Sequence, residues 1–260
     1  MPEARALPRA LTKSREDGAK TLRLSPHPSR TGFTLIDLLV SLTVIAVLIA
    51  LMLPSISSVR ELTRRVVCAS NTRQHGLGLL MYSDDYSGAR PPSLFEAKPG
   101  SVPAPHLMMI ARTDRPSMWD GLGYLYVQGY LNAPQVFYCP SHTGDSPYSA
   151  FASEWPSDTG TLVTNYQYRG ARVADSTGVV IVDGLRTRLD FNHRVGANLL
   201  RADHSVQWFA DVSGAFANSL PQNVGEADAA MKVEWAWEIL DRISAGGSND
   251  VQSGAATQSP

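Results

Sequence analysis

The apolar segment from Phe33 to Leu53, FTLIDLLVSLTVIAVLIALML, constrains this chain more than any other feature. At a rise of about 1.5 Å per residue, an α-helix of this length spans about 30 Å, the thickness of a bilayer's hydrocarbon core. Its one charged residue, Asp37, lies near the N-terminal end, where a carboxylate costs less than at the bilayer centre. We therefore predict a transmembrane helix over residues 33–54. We expect Pro54 to kink or break it, because proline has no backbone N–H.

The charge is distributed unevenly on the two sides of this segment. Residues 1–32 carry seven Lys and Arg against three acidic residues, whereas the remaining residues carry sixteen against twenty-one. The positive-inside rule then places the N-terminus in the cytoplasm and the acidic body on the other side of the membrane. No small-residue cleavage site follows the apolar core, so we interpret residues 1–32 as a basic, unstructured leader peptide rather than an ordinary secretory signal. A net charge of −1 and the lack of a basic stripe predict no nucleic-acid partner.

Residues 55–90 continue the helix with an amphipathic pattern. Apolar residues recur at every third or fourth position: Ile56, Val59, Leu62, Val66 and Ala69. We expect that face to be packed. The arginines between these residues (Arg60, Arg64 and Arg65) we expect in solvent, or alternatively in ion pairs between subunits. The polar run at 83–88 and the following Pro91-Pro92 are expected to end the helix.

Residues 91–243 are predicted to form a globular α+β head. Short apolar runs indicate strands at 122–131, 135–139, 179–183, 197–202 and 205–210. The last two flank Asp203-His204, which predicts a hairpin with a two-residue turn and positive φ at both residues.

A second amphipathic helix is predicted at 227–243. Met231, Trp235, Ile239 and Ile243 form a stripe that faces the core or, alternatively, a partner. Residues 244–260 are of low complexity and are predicted to be disordered.

The stretch GFTLIDLLVSLTVIAVLIALMLP (32–54) resembles the N-terminal signature of type IV pilins and type II secretion pseudopilins. The resemblance implies that prepilin peptidase cuts between Gly32 and Phe33 and methylates the new N-terminus. Asp37 then becomes the fifth residue and Pro54 the twenty-second, as is common in the family, although the acid there is usually glutamate. In the family this acid pairs with the N-terminal amine of a neighbouring subunit. The alternative for Asp37 is an acid tolerated at a helix N-terminus.

Three further stretches resemble a bacterial subfamily of pilin-like proteins abundant in planctomycetes. They are CASNTRQHGLGLLMYSDDYSG (68–88), VFYCPS (136–141) and NHRVGANLLRADHSVQWF (192–209). The subfamily's hallmark is a histidine, nine residues and then Asp-Gly, which here corresponds to His193 and Asp203-His204. The resemblance implies a pilin-like fold, with the long N-terminal helix packed on a small antiparallel β-sheet domain.

Cys68 and Cys139 are the only cysteines. If the body is exported, one pairing is possible, and this disulfide would close a loop of about 70 residues, worth roughly 4 kcal/mol in the loop-entropy model. The alternative is two separate buried thiols.

A few residues are candidates for chemistry. His193 is expected to brace the Asp203-His204 hairpin, although a catalytic or metal pair of His193 and Asp203 is an alternative. Cys139-x-x-His142 is half of a zinc site, and Asp84 and Asp85 are candidate calcium ligands. We expect no metal ion or other cofactor apart from this calcium alternative. No nucleophile motif or paired-carboxylate pattern occurs, so we do not expect an enzyme.

Together these features predict a pilin-like structural subunit of a type II secretion pseudopilus or a type IV pilus-like filament. Its expected partners are prepilin peptidase, other pilin or pseudopilin subunits through the N-terminal helix, and the bacterial inner membrane. The head is expected in the periplasm or on the filament. The alternative is a pilin-helix-anchored module that binds solutes or glycans through surface aromatics of residues 119–130 and 148–168. An enzyme on a membrane anchor is a third hypothesis.

Overall fold

The computed structural model describes residues 32–96, 104–114, 117–157, 159–170 and 178–246. Most of the predicted leader (1–31) and of the predicted disordered tail (247–260) lie outside the described residues. The chain divides into two compact units, residues 1–50 and 51–260.

The described elements combine helices with antiparallel sheets, as expected for an α+β protein. The helices are α1 (Leu35–Asp85), α2 (Gly123–Val127), α3 (Tyr148–Phe151), α4 (Ala215–Ser219) and α5 (Ala229–Ser244). The strands are β1 (Ile110–Asp114), β2 (Ser117–Trp119), β3 (Leu162–Val163), β4 (Gln167–Tyr168), β5 (Val179–Val182), β6 (Gly196–Arg201) and β7 (Val206–Ala210). Two short 3₁₀ helices occupy Pro105–Leu107 and Pro134–Phe137.

The helix α1 begins with a reciprocal cap. The Asp37 N–H donates to Oγ1 of Thr34 over 3.2 Å, and Oδ2 of Asp37 accepts from the N–H and hydroxyl of Thr34 over 3.1 and 2.7 Å. This is a capping box, which satisfies backbone donors that the first helical turn leaves free. Among the described residues, one helical segment, Leu35–Leu53, is long and apolar enough to cross a membrane, and none of it is buried. The break expected at Pro54 is wrong, because α1 passes through that residue as one helix.

The face of α1 that packs is not the predicted one. Val59, Leu62 and Val66 are 57–63% exposed. The buried residues lie on the opposite side and recur with steps of three and four: Cys68, Thr72, His75, Leu79 and Tyr82. The packed face carries polar residues such as Thr72 and His75, whereas the most apolar stripe is exposed to solvent. A prediction from hydrophobicity alone therefore selects the wrong face. The predicted end of the helix is confirmed, since α1 stops at Asp85.

The sheet β4-β5-β6-β7 is antiparallel throughout and forms the centre of the head. Val180 and Leu200 belong to an apolar cluster that includes Cys68, Leu79 and Tyr82 of α1. Val179 and Leu199 belong to a second cluster that includes residues of α5. Because β5 is covered on both faces, its sequence, VVIV, is continuously apolar, and every residue of it is buried. A smaller antiparallel sheet has the order β2-β1-β3.

Three of the five predicted strands are confirmed as β5, β6 and β7. The other two are wrong: residues 122–131 contain α2, and 135–139 contain the 3₁₀ helix Pro134–Phe137. Both helices are only one turn long, and their alternating Tyr, Leu and Val residues match the composition of a strand.

The β6–β7 hairpin is confirmed, but its turn differs from the predicted one. The Arg201 N–H donates to the Ser205 carbonyl, and the His204 N–H donates to the Arg201 carbonyl, each over 2.9 Å. The loop therefore has three residues, 202–204, and only His204 has a positive φ, of 64°. A turn followed by one left-handed residue is a common three-residue hairpin connection.

The predicted helix at 227–243 is confirmed as α5, with a different buried face. Its core side is formed mainly by Val233, Ala236, Trp237 and Leu240, together with Ile239 and Ile243 of the predicted stripe. Met231 is 68% exposed, so the four-residue stripe does not face the core as a whole. Ser244, assigned to the predicted tail, is the last residue of α5.

Candidate functional site

Cys68 of α1 is joined to Cys139 in a disulfide with a Cα–Cα distance of 5.5 Å. Both residues are buried. Cys139 lies two residues after the 3₁₀ helix Pro134–Phe137 and is held there by its N–H, which donates to Oδ1 of Asn165 over 3.2 Å. The bond therefore fixes this turn of the head against α1.

His193 lies directly beside the disulfide, in the turn that precedes β6. Its Nδ1 is 2.7 Å from Oε1 of Glu61 on α1, and its Nε2 is 3.2 Å from Oδ2 of Asp183 and 3.5 Å from Sγ of Cys139. The imidazole is completely buried. We call Glu61, Cys68, Cys139, Asp183 and His193 the His193 cluster.

Both carboxylates of the His193 cluster have further partners. The Asn198 N–H donates to Oδ1 of Asp183 over 2.8 Å, and the Asn198 side-chain amide donates to Oδ2 over 2.7 Å. The Ser141 hydroxyl donates to Oε2 of Glu61 over 2.9 Å. These bonds fix the orientation of each carboxylate toward the imidazole.

The environment of His193 favours its charged form. Burial lowers the pKa of His193, but the hydrogen bonds and negative charges of Asp183 and Glu61 raise it, and the net pKa lies above the usual 6.5. Burial raises the pKa of Asp183, and the hydrogen bonds from His193 and Asn198 offset part of that effect. An imidazolium that donates to both carboxylates fits this geometry and links α1 to the end of β5.

The predicted bracing of the hairpin by His193 is wrong. His193 lies three residues before β6 and Asp203 two residues after it, so the nine intervening residues place them at opposite ends of that strand. Asp203 instead accepts hydrogen bonds from the N–H and hydroxyl of Ser205 over 2.9 and 2.5 Å. These hydrogen bonds lower the pKa of Asp203. The structure therefore gives no support for a catalytic or metal pair of His193 and Asp203.

Two of the remaining candidate ligands, His142 and Asp85, have other partners. His142 has its Nδ1 2.7 Å from Oδ1 of Asn192, and its Nε2 accepts from the Ser146 N–H over 3.3 Å, so Cys139-x-x-His142 is not arranged as a zinc pair. Oδ2 of Asp85 accepts from the Tyr130 hydroxyl over 2.5 Å, a bond that raises the pKa of Tyr130 to about 12.

The arginines after the apolar segment differ from one another. Arg60 and Arg64 are exposed, as expected. Arg65 is half-buried, and its guanidinium lies 3.5 Å from the ring centroid of Trp208, which in turn meets the His193 ring edge-on. Arg65 therefore packs on the head rather than lying in solvent.

Cavities open on the described part of the head. The first, about 490 Å³, is lined by Val67, Asn71, Tyr138, Pro140 and Tyr148 among others, and the second, about 430 Å³, by residues that include Arg188 and Arg194. Most aromatics of the predicted surface platform, in residues 119–130 and 148–168, do not line either cavity. Trp155, Tyr166 and Tyr168 are buried in the core.

One group of metal-ligating side chains occurs within the described part of the chain: Cys68, Cys139, Asp183 and His193, with ligand atoms within 4.8 Å of one another. Sequence reasoning missed Glu61, Asp183 and Asn198. A signal for Glu61 is its position seven residues before Cys68, which puts both on one face of a helix. A signal for Asp183 is its place directly after the buried strand β5.

Neither protein-family models, nor curated proteins, nor solved structures match this chain.

Proposed function

We propose that this chain is a pilin-like structural subunit that assembles through its N-terminal helix. The observation that carries the proposal is the exposed apolar segment Leu35–Leu53, which begins two residues after Phe33 and whose one charged residue is Asp37. Such a segment needs lipid or other helices around it, because water solvates it poorly. A subunit that moves its helix from the membrane into a filament surrounds this segment first with lipid and then with other helices.

Processing after Gly32 would leave Asp37 one helical turn from the new amine of Phe33. Gly32 and Phe33 are exposed, and a Cβ placed on Gly32 has no neighbour within 4 Å, so a peptidase could reach the bond. The capping box of Thr34 and Asp37 lies entirely after the cut and can persist in the mature chain. In this proposal Asp37 both starts its own helix and attracts the amine of a neighbouring subunit.

The second half of α1 supports assembly as well. An apolar stripe on its outer side is 42–63% exposed: Val59, Leu62, Val66, Leu77, Leu80 and Met81. We propose that this apolar stripe packs on the helices of neighbouring subunits. Burial there would remove apolar surface from water at roughly 25 cal/mol for each Å².

The unequal charge gives the orientation in this proposal. The basic leader stays in the cytoplasm and the acidic head reaches the periplasm of a bacterial cell. Prepilin peptidase, other pilin-like subunits and the inner membrane are then the partners. The filament is a type II secretion pseudopilus or a type IV pilus-like fibre.

Substitution of Asp37 tests the proposal. Asp37→Asn should enter the membrane and be processed, yet be absent from filaments sheared from cells, because the amide cannot attract the amine as a carboxylate does. Asp37→Glu should assemble at least as well as the wild type, and Ser41→Ala, on the same segment, should assemble normally. Assembly of Asp37→Asn at the wild-type level would contradict the proposal.

A second candidate function is a binding module, favoured by the cavity beside Tyr138 and Tyr148. The cavity has aromatic and amide side chains suited to a sugar ring or small solute, and its wall includes Val67 and Asn71 of α1. A glycan array probed with the full chain in detergent tests it. Binding that Tyr148→Ala abolishes would support this function, and an array without reproducible binding would argue against it.

A further inference from the structure

Four buried side chains of the His193 cluster meet around one point beside the disulfide. The ligand atoms of Cys68, Cys139, Asp183 and His193 all lie within 4.8 Å of one another. Ligands of a tetrahedral zinc ion are about 3.3–3.8 Å apart, given Zn–S and Zn–N bonds of about 2.3 and 2.0 Å. The side chains therefore need only small movements, mainly separation of the two sulfurs, to surround such an ion.

We propose that, when the disulfide is reduced, Cys68 and Cys139 bind Zn²⁺ together with Asp183 and His193. The cluster then has two mutually exclusive states, a disulfide and a zinc thiolate site. Both states join the same parts of the molecule: α1, the turn at Cys139, the end of β5 and the turn before β6.

The groups around the four ligands are those that a metal site requires. A histidine ligand usually gives its second ring N–H to a carboxylate, and Nδ1 of His193 lies 2.7 Å from Glu61, which leaves Nε2 directed at the sulfur and at Asp183. A carboxylate ligand is likewise held by hydrogen bonds, which Asn198 supplies to Asp183 twice. The orientation of both ligands is thus set by residues outside the first coordination sphere.

The donor set favours zinc over harder cations. Thiolates and imidazole suit Zn²⁺, whereas calcium and magnesium take oxygen ligands. Four protein ligands, all buried, leave no position for water, which is the arrangement of structural rather than catalytic zinc.

A dithiol reductant converts the disulfide state into the state that can bind zinc. The reductant gives two electrons and two protons, its own sulfurs become joined, and Cys68 and Cys139 become thiols. Zn²⁺ then displaces the proton of each thiol and the proton on Nε2 of His193, and these protons pass to solvent. Zinc affinity should therefore rise with pH.

Metal titration of the full-length chain in detergent tests the proposal. The reduced protein is titrated with Co²⁺, whose thiolate charge-transfer absorption reports sulfur ligands, and then with Zn²⁺ against a chromophoric chelator. We expect one ion per reduced chain and none per oxidised chain. His193→Ala and Asp183→Asn should lower the affinity at least tenfold, and Glu61→Gln about tenfold.

His142→Ala is the matched control, because His142 is the histidine nearest to Cys139 in sequence but bonds to Asn192 and Ser146. It should bind zinc like the wild type. Circular dichroism follows the fold, and if reduction unfolds the chain, Zn²⁺ should restore the spectrum. Three results would overturn the proposal: no ion bound by the reduced chain, affinity unchanged in His193→Ala and Asp183→Asn, or no recovery of an unfolded reduced chain on adding Zn²⁺.

Discussion

Two buried histidines, His193 and His75, have opposite surroundings: the first lies among carboxylates and the second among aromatic rings. The ring of His193 lies between the carboxylates of Glu61 and Asp183. The ring of His75 packs on Phe137 and Tyr166, with centroid distances of 5.1 and 4.7 Å, and neither nitrogen has a hydrogen-bond partner among the described residues. Burial lowers the pKa of His75 to about 3, whereas the two carboxylates raise that of His193. The two residues therefore make the free energy of unfolding depend on pH with opposite signs.

Replacing His75 with Phe should stabilise the protein, most of all in acid. Between pH 6.5 and about 3 the unfolded chain binds a proton at His75 and the folded chain does not, so stability is lost as the pH falls. We expect Phe to add about 1–2 kcal/mol at neutral pH, since it removes an unsatisfied polar group, and to abolish an acid-induced loss of at most about 5 kcal/mol. Urea unfolding at neutral and acid pH measures both effects. Equal acid sensitivity of His75→Phe and the wild type would show that His75 does not titrate in this way.

The bond between Glu61 and His193 should weaken as the pH rises. The pKa of His193 is raised by folding, so its stabilising interaction is complete below about pH 6.5 and is lost as the pH rises through the folded value. A double-mutant cycle of Glu61→Gln and His193→Gln should give a coupling energy of about 1–2 kcal/mol at about pH 6, and this energy should fall as the pH rises. Ser141→Ala, which removes the other donor to Glu61, is the control and should show no such dependence on pH. A coupling energy that is constant with pH would contradict an imidazolium at this site.

At the scale of elements, the β6–β7 hairpin places one residue, His204, in a strained backbone conformation. The three-residue loop needs one left-handed residue, and His204 occupies that position with a φ of 64°. A side chain with a Cβ is strained there, whereas glycine is not.

His204→Gly should raise the free energy of unfolding by about 1 kcal/mol, because it relieves that strain. His204→Ala is the matched control. It also removes the imidazole but keeps the Cβ, so it should bring no gain. Chemical denaturation of the three proteins measures the difference. A glycine variant no more stable than the alanine variant would show that the loop is not strained at this position.

Sequence patterns predicted the elements that are long or continuously apolar, and failed where polar residues face inward. The strand at Val179–Val182 and the helix over 55–85 follow from composition and period. The buried side of α1 does not, because hydrophobicity favours the stripe at Val59 and Val66. The packing of α1 is instead determined by a disulfide and by the bond of Glu61 to His193, which join residues 71 and 132 positions apart. Contacts over such sequence distances leave no periodic signal.

At the scale of the whole molecule, the apolar surface of α1 is not covered by the rest of the described chain. Side chains of Leu35–Leu53 are unburied, and the apolar stripe of the second half of the helix is exposed as well. An apolar surface of this extent usually marks a membrane or protein contact. In the proposed function, the first part contacts lipid and then neighbouring helices, and the apolar stripe contacts neighbouring helices.

A charge in the apolar stripe should therefore affect assembly and not folding. Val66→Glu should leave the unfolding temperature of the chain nearly unchanged, because Val66 is 63% exposed, but lower its content in sheared filaments roughly tenfold. Ser58→Glu, at an exposed polar residue of α1 outside the stripe, is the control and should assemble normally. Normal filament content of Val66→Glu would exclude the stripe from the subunit contacts.

The N-terminus of the mature protein tests the central claim most directly. The full chain is produced in a host that contains a prepilin peptidase, and the N-terminal peptide of the membrane-bound protein is identified by mass spectrometry. Our account predicts that the wild type begins with N-methylated Phe33 and that Gly32→Val retains residues of the leader. A wild-type protein that keeps its leader uncut, or that begins at a residue other than Phe33, would contradict it.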